Sequence, residues 1–250
     1  MRHTLNRLRA LAAATALAAA LVTVPAAAAT AAATDGFAPA SHPLGWGRTG
    51  YNINGYNWGG YAATGSGFTS VSATWSEPNA TCNSRNDLYA PWVGIDGYGT
   101  STVEQTGVAT DCSSGRAVYQ AWYEMYPAAP VYLSTSSYPV SPGNSIHATV
   151  TYAGSNRYTL TLQNISRGWT FTITKTLSSA RRRSAEVIIE SPTGAYPNFG
   201  SITFTGATVN GATLGSFGPT ALDPSANGVY EARTGALSGG TSFSMTYLHE

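Results

Sequence analysis

The sequence predicts an all-β fold, and three observations carry that prediction. Its periodic segments alternate apolar and polar residues with period two. Those segments are filled by β-branched and aromatic side chains, which suit a half-buried pleated surface. Beyond the amino-terminal leader, no stretch repeats with the period of a helix. Many short strands divided by turn signals read as an antiparallel sandwich or barrel.

The chain has 250 residues. Residues 1–29 carry Arg2, Arg7 and Arg9, then an apolar run over 10–24, then small residues at 26–29. That order reads as a secretory signal peptide, and the run is too short and too rich in alanine to span a bilayer. Residues 30–50, rich in Ala, Pro, Gly and Ser, read as a linker or short propeptide. Residues 51–250 then suffice for one domain with a sizeable core.

Period-two strands follow in order. Residues 68–76 put Val71, Ala73 and Trp75 on one face. Residues 145–153 put Ile146, Ala148, Val150 and Tyr152 on one face and His147, Thr149 and Thr151 on the other. Leu160 and Leu162 align in 158–163, and Trp169, Phe171 and Ile173 alternate with threonines in 169–176. The last strand, 242–248, aligns Phe243, Met245 and Tyr247. Turn signals separate these runs at SPGN (141–144), AGSN (153–156), SRG (166–168) and SGG (238–240).

Three stretches break the simple pattern. Residues 90–107, APWVGIDGYGTSTVEQTG, are two strand-like pieces around a glycine-rich turn, with Asp96 and Gln105 where no hairpin needs them. In 117–126, Val118, Gln120, Trp122, Glu124 and Tyr126 share a face, which suits a groove for a polar polymer. In 185–190, Glu186, Ile188 and Glu190 share one face, and Glu190 reads as either a solvated strand end or part of a site.

Composition excludes several classes. Removal of residues 1–29 takes three of thirteen Lys+Arg and none of twelve Asp+Glu, leaving 10 − 12 = −2. That balance gives no reason to expect a nucleic-acid or membrane-surface partner. The run Arg181–Arg183 reads as a solvated turn. Cys82 and Cys112, the only cysteines, are expected to pair in an oxidising compartment and pin the turns around residues 90–107. The histidines His42, His147 and His249 have no metal-ligand spacing, so neither a metal nor another cofactor is implied.

There is no G-x-S-x-G elbow, and no histidine stands in the three polar stretches, so a serine or cysteine nucleophile has no base. Carboxylate chemistry remains: Glu190 with a partner among Asp96, Glu104, Gln105 and Glu124. That chemistry serves peptides or glycosides, and the aromatic groove equally suits a carbohydrate-binding, lectin-like module.

Five motifs nevertheless resemble those of the glutamic peptidases, or eqolisins, the pepstatin-insensitive acid peptidases. They are NWGG (57–60), WVGIDG (92–97), QTG (105–107), AWYEMYP (121–127) and AEVIIE (185–190). The resemblance runs from about residue 57 to the last strand. It implies a sandwich of two curved antiparallel sheets with a substrate groove on one concave face. It also implies a catalytic Gln105–Glu190 dyad, groove positions at Trp92, Asp96, Trp122, Glu124 and Tyr126, and an exported endopeptidase acting on polypeptides as a monomer. The loop SPTGAYPNFG (191–200) departs from the acidic, aromatic loop of the fungal members, as in a bacterial-type branch. A carboxylate base with an ordinary pKa of about 4.3 suits acid, where histidine is protonated. On that reading Glu104, one residue from Gln105, faces the other side of its strand.

Overall fold

The computed structural model describes residues 50–249. The expected export signal, and all but the last residue of the expected linker, lie outside that range. Two sheets face each other, and the only helix among the described residues is one short 3-10 turn, Leu214–Phe217. None of their helices is long and apolar enough to cross a membrane.

In chain order the strands begin with β1 (Ile53–Asn54), β2 (Trp58–Thr64), β3 (Ser70–Ser76), β4 (Leu88–Ile95), β5 (Val103–Asp111) and β6 (Val118–Tyr126). They continue with β7 (Val131–Tyr132), β8 (Ser145–Tyr152), β9 (Arg157–Asn164), β10 (Trp169–Thr176), β11 (Ser184–Glu190) and β12 (Ser201–Val209). The last are β13 (Ala212–Thr213), β14 (Thr220–Asp223), β15 (Ser225–Ala226), β16 (Val229–Tyr230), β17 (Ala232–Thr234) and β18 (Phe243–Tyr247). The first sheet runs β1-β14-β2-β11-β4-β5-β6-β7, and the second runs β10-β9-β8-β3-β12-β18-β17 with β13 beside β12. All pairs are antiparallel except the short edge pair β1–β14.

The alternation read from sequence decides which side chains enter the sandwich. Val71, Trp75, Ile146, Val150 and Leu160 come from the second sheet, and Val93, Val108, Val187 and Ile189 from the first. All are 0–1% exposed. Each such side chain contributes about 1.5–3 kcal/mol by leaving water. The opposite face of the first sheet holds a second apolar cluster, with Trp58, Trp92, Trp122, Val103 and Ile188 fully buried. A sheet with apolar residues on both faces is what left β4 and β11 without a simple alternating signal.

The stretch 90–107 forms the β4–β5 hairpin. Its turn is tied by Gly97 N–H donating to Thr100 Oγ1 at 2.7 Å. Cys82 and Cys112 form a disulfide with Cα atoms 5.7 Å apart. It joins the segment before β4 to the end of β5, on either side of that hairpin.

Candidate active site

Four neighbouring strands, β11-β4-β5-β6, carry the polar residues. Their register sets Glu186, Gly94, Gln105 and Glu124 side by side in one row. Ile188, Trp92, Gly107, Trp122 and Tyr132 form the adjacent row. Glu190 lies one step further along β11, opposite Ala90 and Trp58. Gln105 and Glu190 are therefore two rows apart, and the Trp92 ring spans the interval. A Cβ on Gly94 would sit 2.8 Å from Trp92 Cζ3, so the indole lies across the bare backbone of Gly94. The other end of the indole donates Nε1–H to Glu190 Oε2 at 3.1 Å.

Each half of the pair is held differently. Gln105 Nε2 donates to Glu124 Oε2 at 2.8 Å, which fixes which end of the amide is the donor. Glu190 instead accepts: Asn57 Nδ2–H reaches its Oε1 at 3.0 Å, and Trp92 holds the second oxygen. Trp58 packs edge-on against Trp92 with ring centroids 4.9 Å apart. Its indole also favours the carboxylate, without forming a hydrogen bond of standard geometry.

Gln105, Glu124 and Glu190 are all buried. Burial pushes Glu190 well above the ordinary carboxyl range, and the charge of Glu124 pushes it further. Trp58, Trp92 and Asn57 pull in the other direction by stabilising the ionised form. The influence of Glu124 on Glu190 sets both halves, with their partners, in one electrostatic unit.

The Peptidase A4 family model matches residues 56–247. The chain belongs to the Peptidase A4 family. Aspergillopepsin-2 of Aspergillus niger is 29% identical over 214 residues, covering 74% of each chain. The structure of scytalido-glutamic peptidase with a transition state analog inhibitor is similar with a TM-score of 0.68 at 28% identity, covering 77% of this chain and 98% of that one. Aspergilloglutamic peptidase from Aspergillus niger gives 0.57 at 32% identity, over 65% and 99%.

This A4 peptidase places most of the sequence-derived site residues together. Trp92, Gln105, Trp122, Glu124 and Glu190 lie on one face of the first sheet, with Tyr126 half-buried at its margin. Asp96 is a correction. It was expected in the groove, but it sits past the end of β4 at φ 65°, where strand alternation no longer aims its side chain. Its carboxylate accepts the backbone N–H groups of Arg181, Arg182 and Arg183 at 2.6, 2.7 and 2.7 Å. Asp96 thus clamps the β10–β11 connection, where the three arginines follow the turn at Ser178–Ser179 and lead into β11. Glu104 faces the space between the sheets, opposite in direction to Gln105.

Asn57 and Trp58 were missed as site residues, although their NWGG motif was noticed. Periodicity cannot reveal Asn57, which precedes β2 and enters the site only because β2 pairs with β11 at Glu190. Among the described residues, no group of three or more His, Cys, Asp or Glu is arranged to hold a metal ion.

Proposed function

We propose that this member of the A4 family is an exported endopeptidase that cleaves polypeptides in acid with Gln105 and Glu190. The observation that carries the reading is the paired support of two buried groups on one face: Glu124 on the Gln105 amide, and Asn57 with Trp92 on the Glu190 carboxyl. The relatives named as glutamic peptidases support the reaction class.

In the proposed reaction, ionised Glu190 takes a proton from water as the oxygen attacks the scissile carbonyl. The Gln105 amide orients that water through its oxygen and meets the developing oxyanion with an N–H. A neutral amide donor keeps its state in acid. The elevated proton affinity of Glu190 makes it a stronger base once ionised. It then retains the captured proton until the leaving amine takes it. Asn57 and Trp92, which donate to the carboxyl, and the neighbouring Trp58 indole favour its ionised form against burial and the charge of Glu124.

Export rests on residues 1–29 and agrees with the Cys82–Cys112 disulfide, since such bonds persist in oxidising compartments. Residues 30–50 would link or mask the domain, and the active unit would be one chain.

The test is digestion of an unfolded protein in acid, with and without pepstatin or a chelator. Cleavage is expected to be insensitive to both, because the proposed reaction runs through Gln105 and Glu190 and calls on neither a paired-aspartate centre nor a metal. Loss of cleavage with pepstatin or with chelation overturns the assignment.

A further inference from the structure

The loop after Glu190 doubles back toward the residue it follows. Ser191 Oγ donates to the Ala195 carbonyl and accepts the Ala195 N–H, both at 2.9 Å. That closed ring of bonds fixes where Tyr196 leaves the loop. Tyr196 is fully buried, and its ring packs beside Tyr89 and Phe199. Its hydroxyl donates to the Asn57 carbonyl at 2.7 Å, and Ser191 N–H donates to the same oxygen at 3.0 Å. With its backbone held from two sides, Asn57 directs Nδ2–H at Glu190 Oε1, 3.0 Å away. Burial and the charges of Glu231 and Glu190 raise the phenol's proton affinity, so Tyr196 remains a donor.

We propose that the loop 191–200 governs catalysis from behind, by holding Asn57 through Tyr196 and Ser191 so that Asn57 fixes the Glu190 carboxyl; Asn57 and Tyr196 are positioning residues. The inference rests on Glu190 being the catalytic carboxyl. It gives this loop a task distinct from touching substrate. The bond from Asn57 has two effects. It fixes the carboxyl plane for the attacking water, and it favours the ionised form against burial and the charge of Glu124.

The experiment measures kcat and KM for Asn57→Ala, Asn57→Asp and Tyr196→Phe across the acid range, with thermal melts to confirm folding. A hydrogen bond to a charged group is typically worth about 10- to 100-fold in an equilibrium or rate. Asn57→Ala is expected to lower kcat by about that factor with KM within a few-fold. Loss of the donor raises the proton affinity of Glu190, so the acid limb of kcat/KM moves to higher pH. Asn57→Asp, which puts a carboxyl beside a carboxyl, moves it further. Tyr196→Phe leaves Ser191 N–H on the Asn57 carbonyl, so a shift in the same direction of only a few-fold in kcat is expected.

A folded Asn57→Ala enzyme with unchanged kcat and an unmoved acid limb overturns the proposal. If Asn57→Ala does not fold, Tyr196→Phe decides alone: wild-type kcat and an unmoved limb overturn it equally. Glu190→Gln in the same assay separates the two levels. A folded, active Glu190→Gln enzyme defeats the Gln105–Glu190 reading itself. An inactive one beside an unaffected Asn57→Ala defeats only the role of Asn57.

Discussion

The site face of the first sheet and the outer face of the second sheet obey the same period-two rule and use it for opposite purposes. On the second sheet, outward positions are hydroxyls joined across strands: Ser72 to Thr208 at 2.8 Å, Thr159 to Thr174 at 2.9 Å, and Thr203 to Ser244 at 2.7 Å. The Thr and Ser members of β10 and β18 are exposed, so water completes their bonding. On the site face of the first sheet the polar groups are an amide and carboxyls, buried among three tryptophans. A hydroxyl half in water costs little. A buried carboxyl costs several kcal/mol unless it is neutralised or bonded. The contrast shows that polarity by itself marks nothing, whereas polar groups gathered on one desolvated face against that cost call for a reason, and the proposed reaction supplies one.

The largest expected effect is on the site face. Glu190→Gln keeps shape and removes the proposed base, and should lower kcat/KM by about 10²–10⁴-fold. Gln105→Ala should cost about 10²–10³-fold. In the proposed reaction one water and one intermediate engage both residues, so the double variant should fall far short of the product of the two losses. Full multiplicativity in steady-state kinetics would mean that the two residues act independently.

The next effect belongs to the interior between the sheets. Glu104 and Glu77 are buried there, raised from 4.5 to about 9 and about 8, chiefly by desolvation. Neither oxygen of Glu104 has a hydrogen-bond partner. These groups stay protonated in the folded chain at pH values where the unfolded chain has released its protons. Their contribution to stability is therefore complete below about pH 4.5 and is lost as pH rises through 8 to 9. Glu104→Gln removes one of these titrations while keeping shape. Melting temperatures between acid and mildly alkaline pH should fall less steeply than in wild type, with acid proteolysis within a few-fold. An unchanged slope would exclude Glu104 from the pH response, and loss of acid activity would mean that the β5 register is shifted by one residue.

The smallest effect is on the outer face. Thr161 and Thr172 bond each other at 3.2 Å on neighbouring strands. Thr161→Val keeps the β-branched shape and should change stability by no more than about 0.5 kcal/mol, with activity unchanged. A drop in activity without a change in melting temperature would show that this face takes part in function, and would erase the contrast between the two faces.

Much of this arrangement was legible in the sequence. Strands such as β8 and β10 alternate cleanly because one face is core and the other wet, and their composition gave the fold class directly. The polar face of 117–126 was legible because an amide and a carboxyl among aromatics violate that rule, whereas Glu190 at the end of 185–190 read as either a solvated strand end or part of a site until the family resemblance was added. Asn57 and Asp96 were not legible, for a shared reason. Asn57 precedes a strand and Asp96 follows one, and outside a strand the alternation rule says nothing about direction. The bond of Asn57 to Glu190 spans 133 positions, and the clamp of Asp96 on Arg181 spans 85. Contacts of that range depend on sheet order, which local pattern does not encode.

The hydroxyl-clad face has a consequence for an enzyme proposed to work in acid. A surface that keeps itself dispersed through aspartates and glutamates loses that charge as they protonate, and neighbouring molecules then meet without repulsion. Threonine and serine do not titrate anywhere in that range. Over β8, β9 and β10 the outward positions are mostly such residues, with His147 among them and Arg157 adding a charge that persists in acid. Hydration of these hydroxyls therefore stays nearly constant while carboxyls elsewhere change state, which would keep this face wetted in the acid where the enzyme is proposed to work.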